Sequence, residues 1–231
     1  MAPKILVVLT SHSELGNTGK KTGWYLPEFA HPYDVFKAAG AELTVASPAG
    51  GLAPLDPNSV EASKEDASSV SFLNTQKSLW EKTTKLDAIA DKAADEYDAL
   101  FFPGGHGPMF DLANDPTSQR VAAAFAAKGK PVAAVCHGPA ALVGVKDPRT
   151  GEYLLKGKTV TGFSNDEEEA VGLTKAMPFL LESRLNEVSG GKYVKADKPW
   201  EAKVVVDGNV ITGQNPASAK GVGEAIVKAL S

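Results

Sequence analysis

The chain has 231 residues, 43% of them hydrophobic and 23% charged, with a formal net charge of −4. That is enough apolar material for the core of one α/β domain, and two small domains would need a visible linker. A pI near 5.6 argues against nucleic acid or an anionic membrane as the main partner, and one cysteine excludes an internal disulfide framework. No Cys/His cluster has zinc-ligand spacing, so no metal is expected. No stretch approaches the roughly 20 apolar residues of a membrane span, and Ile5 to Leu9 is too short for a signal sequence. The lone thiol points to a reduced compartment, with the cytoplasm as the expected location.

Lys4 to Thr10 reads as a central parallel strand, because its β-branched residues and leucines do not alternate with polar ones. After a polar, glycine-bearing loop, Phe29, Tyr33 and Phe36 fall at helical spacing and Gly40 offers a stop. Pro27 and Pro32 predict a broken or delayed start to this helix, since proline fits only the first turn. Glu42 to Ser47 is the second strand. The chain therefore opens β-α-β, a parallel pair with a right-handed crossover. Residues 48–95 are rich in Pro, Gly, Ser, Asp and Lys, with sparse apolar residues. The segment is too long for a simple loop and reads as an insertion on the sheet edge, carrying short helices, within a domain spanning residues 1–231.

Tyr97 to Phe102 is the next strand and ends in Pro103-Gly104-Gly105-His106-Gly107-Pro108. A glycine-rich turn at a strand's C-terminal end is where open α/β sheets place ligands. Neither the phosphate-loop nor the dinucleotide pattern is present. Pro116 to Lys128 is an alanine-rich helix with Gly129 as its stop. Val132 to Val135 then runs as a short apolar strand into Cys136-His137-Gly138-Pro139, with a helix expected over Pro139 to Val143. Lys158 to Gly162 reads as a strand, followed by the acids Asp166 to Glu169 and an amphipathic helix over Phe179 to Val188. Lys203 to Gly213 is a hairpin turning at Asp207-Gly208, and Asn215-Pro216 opens the last helix.

A small apolar strand that delivers Cys136 into a tight turn reads as a nucleophile elbow, or as a buried free thiol. In the first reading, the helix start after Cys136 favours a thiolate. His137 is its neighbour, although adjacent side chains at an elbow point apart, so direct contact is not required. One of the acids Asp166 to Glu169 could reach the same rim, or the run could simply suit a solvated helix N-terminus. Glu28, framed by Pro27 and Pro32, could be a buried proton donor or an ordinary helix acid. The glycines around His106 could expose backbone N–H groups as an oxyanion hole. His12 and His31 read as structural or exposed.

Ala133-Ala134-Val135-Cys136-His137-Gly138-Pro139 resembles the elbow of the ThiJ/PfpI superfamily. Within it the chain is similar to the heat-shock-protein-31-like, glutathione-independent glyoxalase III branch. Further stretches agree in order: Lys21-Thr22-Gly23 with Glu28 and His31-Pro32, Gly104-Gly105-His106-Gly107, Lys158 to Phe163 followed by acids, and Thr212 to Ala219. The resemblance implies a flavodoxin-like parallel sheet with helices on both faces, a three-layer α/β sandwich, closed by the C-terminal hairpin and usually found as a homodimer. It implies Cys136 as nucleophile, His137 as acid/base, Glu28 as a proton carrier on the sulfur, and Glu168 as the acid orienting His137, with Glu167 and Glu169 adjacent in register. Gly105 and His137 would supply oxyanion-site amides, with His106 beside the substrate. The implied activity is conversion of a small 2-oxoaldehyde, methylglyoxal, to lactate without any cofactor. The same site would permit deglycation or peptidase chemistry, and a holdase chaperone or redox sensor is the non-enzymatic rival.

Overall fold

Four short apolar runs, each paired on both sides, make the middle of the sheet. In the computed structural model, which describes residues 1–231, these are β1 (Lys4–Val8), β4 (Ala99–Phe102), β5 (Val132–Val135) and β7 (Val210–Gly213). From Ile5 onward their residues are buried without alternation, as expected when helices cover both faces of a sheet. With β2 (Glu42–Ser47), β3 (Thr84–Lys85) and β6 (Val204–Asp207), they form one seven-stranded sheet in the order β3-β2-β1-β4-β5-β7-β6. Every pairing is parallel except β6 with β7, the expected hairpin. The core order β2-β1-β4-β5-β7 is the flavodoxin-like doubly wound arrangement, which reverses direction at β1 and opens a crevice at the strands' C-terminal ends.

Ten α-helices accompany the strands: α1 (Leu26–Ala38), α2 (Pro57–Ala62), α3 (Ala67–Thr75), α4 (Lys77–Glu81), α5 (Leu86–Ile89), α6 (Ala93–Glu96), α7 (Pro116–Ala127), α8 (Asn165–Ala170), α9 (Leu181–Val188) and α10 (Ala219–Ala229). Helices α1 and α10 pack on each other, with α10 against β5 and β7, while α7 packs on β4 and β5. The start of α1 is neither broken nor delayed. Pro27 sits in its first turn, and Pro32 lies buried inside a continuous helix, where it withholds only its own N–H from the carbonyl one turn back.

Residues 48–95 hold α2 to α6 and the edge strand β3. Two of their apolar side chains are large aromatics. Phe72 lies 4.8 Å from Phe29 and 6.2 Å from Trp24, and Trp80 lies 5.8 Å from Trp24, between ring centroids. Two aromatics thus anchor a polar segment on Phe29 of α1 and on Trp24 just before it, because each aromatic ring has a large apolar area to bury.

Two expected elements differ. Lys158 to Gly162 is not a strand: it has one isolated bridge, Val160 to Tyr193, and Thr161 N–H donates to the Thr212 side chain at 3.0 Å. Strand β5 is paired by β4 and β7, and β6 pairs the other side of β7, so this largely polar run lies outside the interior ladders. The expected helix over Pro139 to Val143 is a short 3₁₀ helix over Gly138–Leu142.

Candidate active site

Cys136 caps β5, and its N–H still donates to Gly213 of β7 at 2.9 Å. The chain must then turn at once, because a Cβ on Gly138 would lie 2.2 Å from the Phe102 carbonyl oxygen. The turn is made with Cys136 at φ 61°, a left-handed conformation rare outside glycine. The Cys136 carbonyl accepts from Phe163 N–H at 2.9 Å. The sulfur is therefore positioned by backbone hydrogen bonds on both sides of a strained residue, which is the local geometry of a nucleophile elbow.

Glu28, in the first turn of α1, is completely buried. Its Oε2 accepts from Gly104 N–H at 2.7 Å. Its Oε1 has no partner at hydrogen-bond distance, and the group beside it is the Cys136 thiol. Burial pushes the Glu28 carboxyl up to about 8, against the opposing pull of the nearby Cys136 thiol and of the Gly104 N–H. Burial also pushes the Cys136 thiol well up, and a charged Glu28 pushes it further. Two anions cannot share this space, and at neutral pH the raised carboxyl holds its proton while the thiol keeps its own. With that proton on Glu28, the carboxyl stops repelling a thiolate and donates to it.

On the other side of Cys136, the His137 Nδ1 lies 3.6 Å from the sulfur. The adjacent side chains thus do meet, contrary to the expectation for an elbow. His137 Nε2 lies 2.5 Å from Glu168 Oε2, and His106 Nε2 lies 2.8 Å from Glu168 Oε1. One carboxylate therefore serves two imidazoles, whose rings are 4.1 Å apart. Burial of Glu168 works against its charge, but His137 and His106 overcome this and hold the carboxyl well below the usual range. Burial holds the His137 imidazole below its ordinary value, and His106 adds to this against Glu168. A neutral imidazole with its N–H on Nε2 toward Glu168 presents an Nδ1 lone pair to the thiol. This tautomer is assigned from the partners.

Gly105 and His137 both have backbone N–H groups with no acceptor in the protein. Gly105 has φ 95°, and a Cβ there would lie 2.2 Å from the Gly23 carbonyl oxygen. Only glycine lets the β4 loop pass so close to the residues before α1. The Cys136, His137, Glu28, Gly105 and His106 groups all line one cavity of about 310 Å³, and Glu168 lies behind the imidazoles, 3% exposed. His12 instead stacks on Phe110, and His31 pairs with Asp66 at 2.6 Å.

Tyr25 and Trp200 were not singled out from sequence, and Glu167 entered only as an alternative to Glu168 for orienting His137. Tyr25 lines the cavity, its hydroxyl pushed up to about 12 by burial and by Glu28. Trp200 also lines it. Glu167 is fully buried and accepts from Gln214 Nε2, Asn215 Nδ2 and the Trp200 N–H at 2.9–3.0 Å. The closing turn Gln214-Asn215 carried the usable signal: two amides in one tight turn call for a buried acceptor. His106, His137 and Glu168 bring three potential metal-ligand atoms within 4.8 Å of one another, a grouping that sequence spacing hid because it joins two turns and the helix α8. A cation there would have to replace both imidazole–carboxylate hydrogen bonds.

A sequence profile of the DJ-1/PfpI family matches residues 23–229. Glyoxalase 3 of Candida albicans is 35% identical over 98% of each chain. The glutathione-independent glyoxalase HSP31 of Saccharomyces cerevisiae is 32% identical over 95% of this chain and 94% of its own. Among solved structures, Rapid Encystment Protein 24 kDa of Francisella tularensis superposes with TM-score 0.91 at 40% identity, covering 99% of each chain. Glyoxalase III of Candida albicans superposes with TM-score 0.89 at 33% identity, covering 98% of this chain and 97% of its own. No helix of the chain is long and apolar enough to cross a membrane.

Proposed function

The chain belongs to the DJ-1/PfpI family, and from that premise we propose that it is a glutathione-independent glyoxalase converting methylglyoxal and water to lactate. The observation that carries this reading is the setting of Cys136: strained at φ 61°, with an imidazole nitrogen 3.6 Å from the sulfur and a carboxyl raised to about 8 beside it. The glyoxalase names of relatives that align over nearly the whole chain support the choice of substrate.

The Cys136 sulfur attacks the aldehyde carbon while its S–H proton passes to the Glu28 carboxyl. The proton already on Glu28 passes to the carbonyl oxygen, giving a hemithioacetal with Glu28 protonated again and His137 Nδ1 still free. Glu28, protonated near neutral pH, is the donor placed for this step. The developing oxyanion is met by the unoccupied N–H groups of Gly105 and His137, which are preorganised for it. His137 Nδ1 then removes the C1 proton, Glu168 holding the resulting imidazolium by its Nε2–H. The enediol takes a proton at C2 and collapses to a thioester. Water cleaves that bond, releasing lactate and restoring the thiol. No electrons leave or enter: C1 is oxidised as C2 is reduced. His106, on the cavity wall and hydrogen-bonded to the same carboxylate, contacts the substrate oxygens and keeps Glu168 charged.

Purified protein should form lactate from methylglyoxal with no thiol added. Full activity in Cys136→Ala would overturn the mechanism.

A further inference from the structure

Methylglyoxal does not explain the whole cavity. At roughly 30 Å³ per water, about 310 Å³ holds about ten waters, whereas three carbons and two oxygens fill about half of that. The extra space has an aromatic wall. The His137 and Phe163 rings lie 4.4 Å apart, and Phe163 meets Trp200 edge-on at 5.6 Å. The wall therefore runs outward from the catalytic imidazole. Val171 and Leu173 continue its apolar lining.

Trp200 is not placed there by core packing, because 45% of its surface remains exposed. Its backbone is nevertheless held in an unfavourable shape: with Cys136 it is one of two non-glycine residues at positive φ, at 70°. What holds it is Glu167. This fully buried carboxylate accepts from the Trp200 N–H at 2.9 Å, from Gln214 Nε2 at 3.0 Å, from Asn215 Nδ2 at 2.9 Å and, on its other oxygen, from Ser164 N–H at 3.0 Å. Four donors on one buried carboxylate fix a strained turn whose visible product is an indole at the cavity edge. Glu168, the next residue, holds the imidazoles. One short helix thus positions both the chemistry and the wall.

We propose that the site takes 2-oxoaldehydes bearing an aromatic or branched apolar group larger than methyl, and that the Trp200 indole receives that group. This rests on the glyoxalase reading above. The aldehyde carbon sits at Cys136 and the substituent lies along Phe163 toward Trp200, where a flat ring gains edge and face contacts. The balance of the reaction is unchanged: the larger substituent stays on C2, and the product is the corresponding 2-hydroxy acid.

The test compares kcat/KM for phenylglyoxal and methylglyoxal in the wild type, Trp200→Ala and Trp200→Phe. The wild type is expected to favour phenylglyoxal. Trp200→Ala should cut that preference about tenfold, chiefly through KM for phenylglyoxal, and Trp200→Phe should recover most of it. An unchanged preference, or an equal loss on both substrates, overturns the proposal. So does a change of oligomeric mass in Trp200→Ala at constant preference, which would make the indole a protein contact. Failure of the glyoxalase reading looks different, because the wild type would then make no lactate. The proposal is still decided in that case by calorimetry on Cys136→Ala: mandelate should bind about tenfold tighter than lactate, and adding Trp200→Ala should abolish the difference. Equal binding of the two acids counts against it.

Discussion

Two buried glutamates flank Cys136, one delivered by α1 and one by α8, and their surroundings drive them in opposite directions. Glu28 is 0% and Glu168 3% exposed, so depth does not separate them. The difference is in what faces the two oxygens. Glu28 has one backbone donor and a thiol, and burial raises it to about 8. Glu168 has an imidazole on each oxygen, and these outweigh burial and hold it ionised. One side of the sulfur thus stores a proton and the other stores a negative charge, a division that separates acid from orienting base within one site.

The largest expected effect comes from removing the atom both sides serve. Cys136→Ala should lower lactate formation by at least about three orders of magnitude, to background. The comparison itself is tested by Glu168→Gln and Glu28→Gln. An amide cannot accept from both imidazoles, so Glu168→Gln should lose about 10²–10⁴ in kcat. At position 28 an amide imitates the protonated carboxyl as a neutral donor, though it cannot pass a proton on. Glu28→Gln should therefore lose less, about tenfold. Equal losses in the two variants would break the distinction between stored proton and stored charge.

The same contrast should appear in stability against pH. The Glu28 carboxyl binds its proton more tightly in the folded chain, at about 8, than at its ordinary 4.5. Between those values the folded state holds more protons than the unfolded one, so stability falls as pH rises through this window. At about 1.36 kcal/mol per pKa unit the effect amounts to several kcal/mol. Glu168 has the opposite sign: its folded value is lowered, so it stabilises above 4.5 and that contribution is lost as the solution is acidified. Urea midpoints from pH 3 to 8.5 should show both limbs. Glu28→Gln should flatten the alkaline one and Glu168→Gln the acid one; a Glu28→Gln curve parallel to wild type would show that Glu28 is ionised in the folded protein at neutral pH.

The central strands were legible because burial on both faces leaves a composition signal, apolar residues without alternation. Lys158 to Gly162 has Val160 as its one apolar residue, lacks that signal, and is not a strand. Cys136 was legible from the turn that follows it. Its relation to His137 was not, because the left-handed backbone that brings Sγ within 3.6 Å of Nδ1 has no spelling in side chains. His106 meets Glu168 across 62 residues, a pairing between the turn after β4 and the helix α8 that leaves no local spacing to read.

The acids at 167, 168 and 169 show the limit most sharply, and they carry the smallest expected effect. An α-helix turns about 100° per residue at 3.6 residues per turn, so three neighbours of one type must face three directions. Glu167 turns inward to Gln214, Asn215 and Trp200, Glu168 turns to the two imidazoles, and Glu169 turns out to solvent, where it accepts from Thr174 Oγ1 at 2.7 Å. A chemically uniform run is thus divided into three roles by helix rotation alone. Glu169→Gln should leave kcat/KM within about twofold and stability within about 0.5 kcal/mol of wild type, measured beside Glu168→Gln under the same conditions. A large loss at 169 together with a small one at 168 would mean that α8 is rotated by one residue, with the imidazoles facing a different carboxylate.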